Sequence, residues 1–393
     1  MKKHSEKKWI SETAYWPDDP VSGTRIVQLT GIVSMATNIY CEDPACSPQN
    51  RIAVFRTMKI GCPGELWIVD INERLSVRID DGVDWVGSCP QSYGDFFFYP
   101  RLKKDKWEMV RLCFSTLETE VVYLFPEKKI FTTLGSASCD GRYIVNQRTP
   151  AENEYQVVVI DIETGKETII ISGADFCNPH PRFDRINGKW ILIQKNYGYR
   201  RVGRYVRKVY PDATVTLNIC SRDGKEKIDA PVAKPFIPCG VSGHEAWLKK
   251  QEAFIYSSSC LDQPYEDGNK SGNLLFYKFG GEKPQVITHA PELYFGHVST
   301  SSCGRYWCCD VWYWKHAASD VCNCAPRIAI GSIKTGKFAF VCEVGGFWPN
   351  YEIGHSHPYL SSDSKYVIFT STRTGFPQVF LAELPEGFLE KLE

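Results

Sequence analysis

The stretch NYEIGHSHPYL (Asn350–Leu360) places His355 and His357 two apart, with Glu352 three residues before the first. On an extended segment, residues i and i+2 point to the same face. Two imidazoles on one face beside a carboxylate form a donor set suited to a divalent transition metal. The chain has only eight histidines. Three others stand in comparable settings: His180 in NPHPRF, His244 in SGHEAW and His297 in FGHVST. His297 could add a third nitrogen to the pair, and Glu352 an oxygen. Any one of these histidines taken alone reads equally well as a hydrogen-bonded polar residue. His4, His289 and His316 fit no such setting and read as surface residues.

Strands must position these side chains. Helical periodicity is scarce, and short runs of Val, Ile, Tyr, Phe and Trp bounded by Gly, Pro, Asp and Ser are the strand signature. The runs repeat. SASCDGRYIVNQRT leads to YQVVVIDIETGKETIII, STSSCGRYWCCDVW to RIAIGSIKTGKFAFV, HPYLSSDSKYVIFTST to PQVFLAELP, and DPACSPQNRIAVFRT to GELWIVDINERLSVRI. The period, roughly 40–55 residues, is the scale of a four-stranded propeller blade. Seven units fall near 37–82, 83–131, 132–173, 174–236, 237–290, 291–344 and 345–387. The strand TRIVQLT, Thr24–Thr30, is left over. Pairing it with the short final unit would remove an open sheet edge. The expected fold is therefore all-β: a single domain, 1–393, forming one seven-bladed β-propeller closed by pairing of the N-terminal strand with the C-terminal blade. Two β-sandwiches in tandem are the competing architecture. In the propeller frame His180, His244, His297 and the His355–His357 pair occupy nearly the same place in four consecutive units, which brings them to one end of the central channel.

Lys+Arg and Asp+Glu number 46 each. Without a long-range basic field, neither nucleic acid nor a membrane surface is an expected partner. The opening MKKHSEKKWISETAYWPDD has no apolar core of a signal peptide, and no apolar run approaches the ~20 residues that span a bilayer. A cytoplasmic location is expected, with the sixteen cysteines reduced. The group Cys303, Cys308, Cys309, Cys322 and Cys324 lacks zinc-ribbon spacing and reads as small hydrophobes in strands.

GHSHPYLSSDSKYVIFTSTRTGFPQVFLAELP resembles the C-terminal blade of the oligogalacturonate lyases, a family of seven-bladed propeller polysaccharide lyases. SGHEAW is similar to their Thr-His-Glu-Phe-Trp segment, GHVSTSSCGRYW to the next blade entry, and GTRIVQLT to their N-terminal strand. The resemblance is dense from about Val241 onward. It implies Mn²⁺ as cofactor, held by His297, His355 and His357, with Glu352 standing where the family has glutamine. It also implies His244 as the catalytic base. The family's catalytic arginine falls on Thr216 here. The basic run YRRVGRYVRK just upstream offers Arg200, Arg201, Arg204 and Arg207 as substitutes, or forms a solvated loop. His180, one unit before His244, is a candidate substrate contact.

The implied reaction cleaves an O4-linked uronate by β-elimination. A base removes the C5 proton, O4 departs, and a C4–C5 double bond forms. A divalent cation neutralises the neighbouring carboxylate, and a neutral histidine accepts the proton near neutral pH. The expected partner is a uronic-acid oligosaccharide. The altered arginine position and Glu352 keep a second reading open, a lyase acting on glucuronate-containing or other uronate oligosaccharides. A third is a non-catalytic propeller binding module, since propellers host many functions. No oligomeric state is expected from the sequence.

Overall fold

The computed structural model describes residues 7–126, 131–202, 205–233, 241, 243–258, 273–290, 292–313, 326–348 and 351–393. Arg204, His4, His316, Cys322 and Cys324 lie outside them. The chain is all-β, and the helical turns among the described residues are short 3₁₀ segments such as Glu352–Gly354. Among the described residues, no helix is long and apolar enough to cross a membrane.

The strands form antiparallel meanders in chain order. Met35–Thr37, Arg51–Thr57, Gly64–Asp70 and Leu75–Val83 make the first. Cys89–Pro90, Phe96–Lys103, Lys106–Cys113 and Thr119–Leu124 make the second. A single residue pair, Val83↔Arg101, joins these two into one eight-stranded sheet. Four-stranded sheets follow from Ser136 to Gly173, Arg182 to Asp229, Glu245 to His289 and Leu293 to Glu343. The last sheet combines Tyr359–Leu360, Tyr366–Ser371 and Gln378–Glu383 with Arg25–Gln28 from the other end of the chain. Arg25–Gln28 pairs antiparallel with Gln378–Glu383, Val27 opposite Leu381.

Two elements were not legible in the repeat. Ala14–Trp16 adds a fifth strand outside Arg25–Gln28. It is held there by Trp16, whose Nε1 donates to Gln28 Oε1 at 3.1 Å and whose ring meets Phe380 edge-on. A two-stranded hairpin, Tyr199–Val202 with Tyr205–Lys208, is inserted inside the Arg182–Asp229 sheet.

The turn after the first strand of three of the sheets has a common cause. Ser138, Ser301 and Ser361 each accept, through Oγ, the backbone N–H five residues on, at Tyr143, Tyr306 and Tyr366. This local bond bends the chain so that the fourth residue takes positive φ: Gly141 at 69°, Gly304 at 72° and Ser364 at 60°. Glycine adopts that conformation without Cβ strain.

The core lies between sheets. One buried cluster joins the first and second meanders, through Phe55, Leu66, Phe97 and Tyr99. Others join each sheet to the next, for example Trp190, Leu217, Trp247 and Phe254. A further cluster packs the last sheet on the first, with Val27, Ile368 and Leu381 against Val54 and Val69. Cys308 and Cys309 are buried among such residues and behave as small hydrophobes.

Candidate metal centre

His297 lies on the strand Leu293–Thr300, where the pairing with Tyr306–Tyr313 slips between Phe295 and Val298. Gly296 and His297 thus oppose the single residue Asp310. Such a bulge re-aims a side chain. Gly296 is required for it, because a Cβ there would stand 2.5 Å from Asp310 Oδ1. Asp310 accepts the His297 backbone N–H at 2.6 Å and its Nδ1–H at 2.8 Å.

His355 and His357 were expected on a regular extended segment. They sit instead on the irregular exit from the Glu352–Gly354 turn: His355 is extended, but His357 has φ 41°. The conformation is held from outside. Asn38 Nδ2 donates to the His357 carbonyl at 2.9 Å, Thr370 N–H donates to the Ser356 carbonyl at 2.9 Å, and Ser356 Oγ donates to Asp310 Oδ2. His355 stacks on Phe347 at 4.9 Å.

The three histidines nevertheless converge. One nitrogen from each of His297, His355 and His357 lies within 4.8 Å of the others. His357 Nδ1 is 3.1 Å from the Ile39 carbonyl, so it carries the proton and leaves Nε2 as a bare lone pair. That Nε2 is buried and has no hydrogen-bond partner. Buried polar atoms are rarely left so, and a neutral imidazole with an unused lone pair is a metal ligand in waiting. Burial, then the neighbouring His297, His355 and His244, holds His357 well below its usual pKa, which keeps that lone pair available. The donor set fits a divalent cation. Glu352 is exposed on the wall of the adjoining cavity and is not part of the trio.

His244 stands beside the trio, its ring 4.5 Å from that of His297. Its Nδ1 faces Tyr40 Oη at 3.2 Å and Glu42 Oε1 at 3.5 Å. Burial, reinforced by His297, lowers its pKa, so it is neutral near neutral pH. Glu245 next to it is fully buried and accepts from Gln194 Nε2 with both oxygens, at 3.0 and 2.9 Å. Burial and then Glu42 push its pKa well up.

His180, at φ 43°, bonds Glu42 through Nδ1 at 3.1 Å, and its Nε2 lies 2.9 Å from the Asn178 side-chain amide. Glu42, His180 and Glu245 also cluster within 4.8 Å. Here the positive charge is already supplied, because the Arg182 guanidinium lies 3.0 Å from Glu42. This second group is an ion-pair network. Burial opposes the charge on Glu42, but His180 and Arg182 outweigh it and hold its pKa low.

A cavity of about 460 Å³ opens beside the cluster and reaches it through Tyr40, His180 and His355. Phe55, Ile60, Trp85 and Ile353 give it an apolar side, and Arg182, Arg201 and Glu352 a charged one. The hairpin separates the expected arginines. Arg201 lines the cavity and donates to the Cys177 carbonyl, whereas Arg200 pairs with Asp175 at 3.6 Å. Thr216, which the resemblance aligns with the family's arginine, pairs across the sheet with Lys195. His289 is exposed, as expected.

Asp43, beside this network, is fully buried, and burial raises its pKa from 3.8 to about 6 despite Arg182 and Arg185. Between those values the unfolded chain has released a proton that the folded chain keeps. The stability contributed by Asp43 is therefore present at low pH and lost as pH rises through about 6, by ~3 kcal/mol. Asp43→Asn is expected to gain on the parent chain between about pH 4 and pH 7, read as the difference in urea midpoints. Parallel pH profiles for the two chains would contradict this.

Tyr40, Glu42, Arg182 and Asp310 were absent from the residues singled out in the sequence. Asp310 had a signal: one acid inside the otherwise apolar strand YWCCDVWY must find a buried partner.

No family model matches the chain. An oligogalacturonate lyase of Dickeya dadantii (strain 3937) is 21% identical over 415 residues, covering 97% of this chain and 98% of its own. The solved structure of an oligogalacturonate lyase in complex with manganese superimposes with a TM-score of 0.72 at 19% identity, covering 97% of this chain and 99% of that one. An oligogalacturonate lyase from Vibrio parahaemolyticus gives 0.73 at 15% identity, with 98% and 100% covered. The chain is thus similar from end to end to oligogalacturonate lyases and shares the fold of their solved structures.

Proposed function

We propose that this protein is a divalent-metal-dependent lyase that cleaves oligogalacturonide-like substrates by β-elimination, releasing a 4,5-unsaturated uronate. The observation that carries the reading is the juxtaposition of three convergent histidine nitrogens with a neutral, non-ligating His244 4.5 Å from His297.

In this reading His297, His355 and His357 hold the cation, Mn²⁺ by kinship with the manganese complex. Glu352 reaches it only by a change of rotamer or through water. Bound there, the cation neutralises the substrate carboxylate and makes C5–H more acidic. His244 takes the C5 proton on Nε2, since Nδ1 is turned to Tyr40 and Glu42. Arg201 in the cavity wall pairs with a second uronate carboxylate, and His180 with a hydroxyl. Arg200 is turned away to Asp175, and Arg204 stays a proposal from sequence alone.

The scaffold in this reading is one seven-bladed propeller over residues 1–393, its units near those the repeat marks. Two observations support closure: Arg25–Gln28 completes the last sheet, and a buried cluster packs that sheet on the first meander. A cytoplasmic location belongs to the same reading. The twelve described cysteines are all free thiols, as a reducing compartment keeps them.

A second reading keeps the mechanism and changes the sugar to glucuronate or another uronate. Thr216 in the arginine position favours it, because an arginine's two-point grip on a carboxylate is missing there. The test is incubation of the purified chain with Mn²⁺ and a panel of uronate oligosaccharides. The expected result is growth of the ultraviolet absorbance of the conjugated C4–C5 double bond on galacturonides. Growth on glucuronides alone would select the second reading, and none on any uronide would point to a binding module.

A further inference from the structure

Asp310 has no role in the elimination itself, yet it is fully buried and placed between two segments that carry the trio. We propose that Asp310 is the positioning residue of the metal centre, one carboxylate that orients His297 and anchors the His355–His357 segment to it. The inference rests on the metal reading above.

The geometry is specific. Asp310 Oδ2 takes the Nδ1–H of His297 at 2.8 Å, which fixes the tautomer whose Nε2 lone pair is left for a cation. Oδ1 takes the His297 backbone N–H at 2.6 Å, which holds the bulge. Oδ2 also accepts from Ser356, the residue between His355 and His357. His297 belongs to one sheet and Ser356 to the loop entering the next. A single side chain therefore ties together the histidine-bearing segments of two sheets. Gly296 lets that side chain approach, as the 2.5 Å Cβ contact shows.

A purely structural role would look different from a positioning role. Asp310→Asn keeps the size and one acceptor oxygen, so one of the two His297 donors loses its acceptor, and it removes the negative charge that supports the imidazole. Ser356→Ala keeps Asp310 and frees only the loop. Partners of this kind cost 10–100-fold in metal affinity when altered. The experiment is calorimetric titration of Mn²⁺ into the full-length parent chain and both variants, with metal-free melting curves alongside. The expected result is a ~10–100-fold weaker Kd for Asp310→Asn and a smaller loss for Ser356→Ala, with metal-free melting close to the parent in Ser356→Ala. Parent-like Mn²⁺ affinity in Asp310→Asn overturns the inference, even if its melting point falls. Should Asp310→Asn fail to fold, Ser356→Ala decides, and unchanged affinity there is equally fatal. A parent chain that binds no Mn²⁺ refutes the metal reading itself, a separate result.

Discussion

His244→Ala is expected to abolish elimination while leaving Mn²⁺ content and melting temperature nearly those of the parent. General bases contribute ~10²–10⁴ in rate, and His244 is not one of the three histidines whose nitrogens converge. Its loss removes a hydrogen bond to Tyr40 and a longer contact with Glu42, a net cost of about 1 kcal/mol. The checks are turnover on an oligogalacturonide, metal analysis and a thermal melt on the same preparation. Near-full activity with metal bound would move the base elsewhere. Tyr40, whose hydroxyl lies 3.2 Å from His244 Nδ1, would be the first residue to test.

His355→Ala gives the contrasting result: metal and activity fall together. Two nitrogens remain, and affinity should drop by more than the ~10–100-fold that a mere supporting partner costs. The fold should survive, since His355 is half-buried at the end of a 3₁₀ turn and its ring stacks on Phe347. Calorimetry and turnover on one sample would separate the outcomes. Retained metal with lost activity would mean that His355 meets the substrate and not the ion.

Much of the arrangement was legible because it repeats. A serine, a turn with positive φ and an apolar strand recur at Ser138, Ser301 and Ser361, and that recurrence marks the sheets from local chemistry alone. His180, His244, His297 and His355–His357 could be superimposed on that frame, and the structure gathers them around Tyr40. What was not legible lies off the repeat. Tyr40 and Glu42 sit in a loop before the strand Arg51–Thr57, and only tertiary packing brings Glu42 to Arg182, 140 residues away. The positive φ of His357 is imposed by Asn38 and Asp310 contacts, which no reading of GHSHPYL alone contains. The hairpin Tyr199–Lys208 interrupts its sheet, so the period there was blurred and the roles of Arg200 and Arg201 could not be told apart.

The pairing of Arg25–Gln28 with Gln378–Glu383 carries a cost in time. Thr30 and Gln378, hydrogen-bonded at this junction, are 348 residues apart. At ~5–20 residues per second on the ribosome, the first strand waits roughly 20–70 s for its partner. Ile26 and Val27, almost fully buried in the finished molecule, spend that interval beside an unpaired edge of the kind that seeds association between chains. Closing so long a loop adds only about 2 kcal/mol of entropy over a 40-residue hairpin. The vulnerable quantity is thus the lifetime of the unpaired strand during synthesis, and a chaperone that shields this one strand would raise yield without touching the stability of the finished protein.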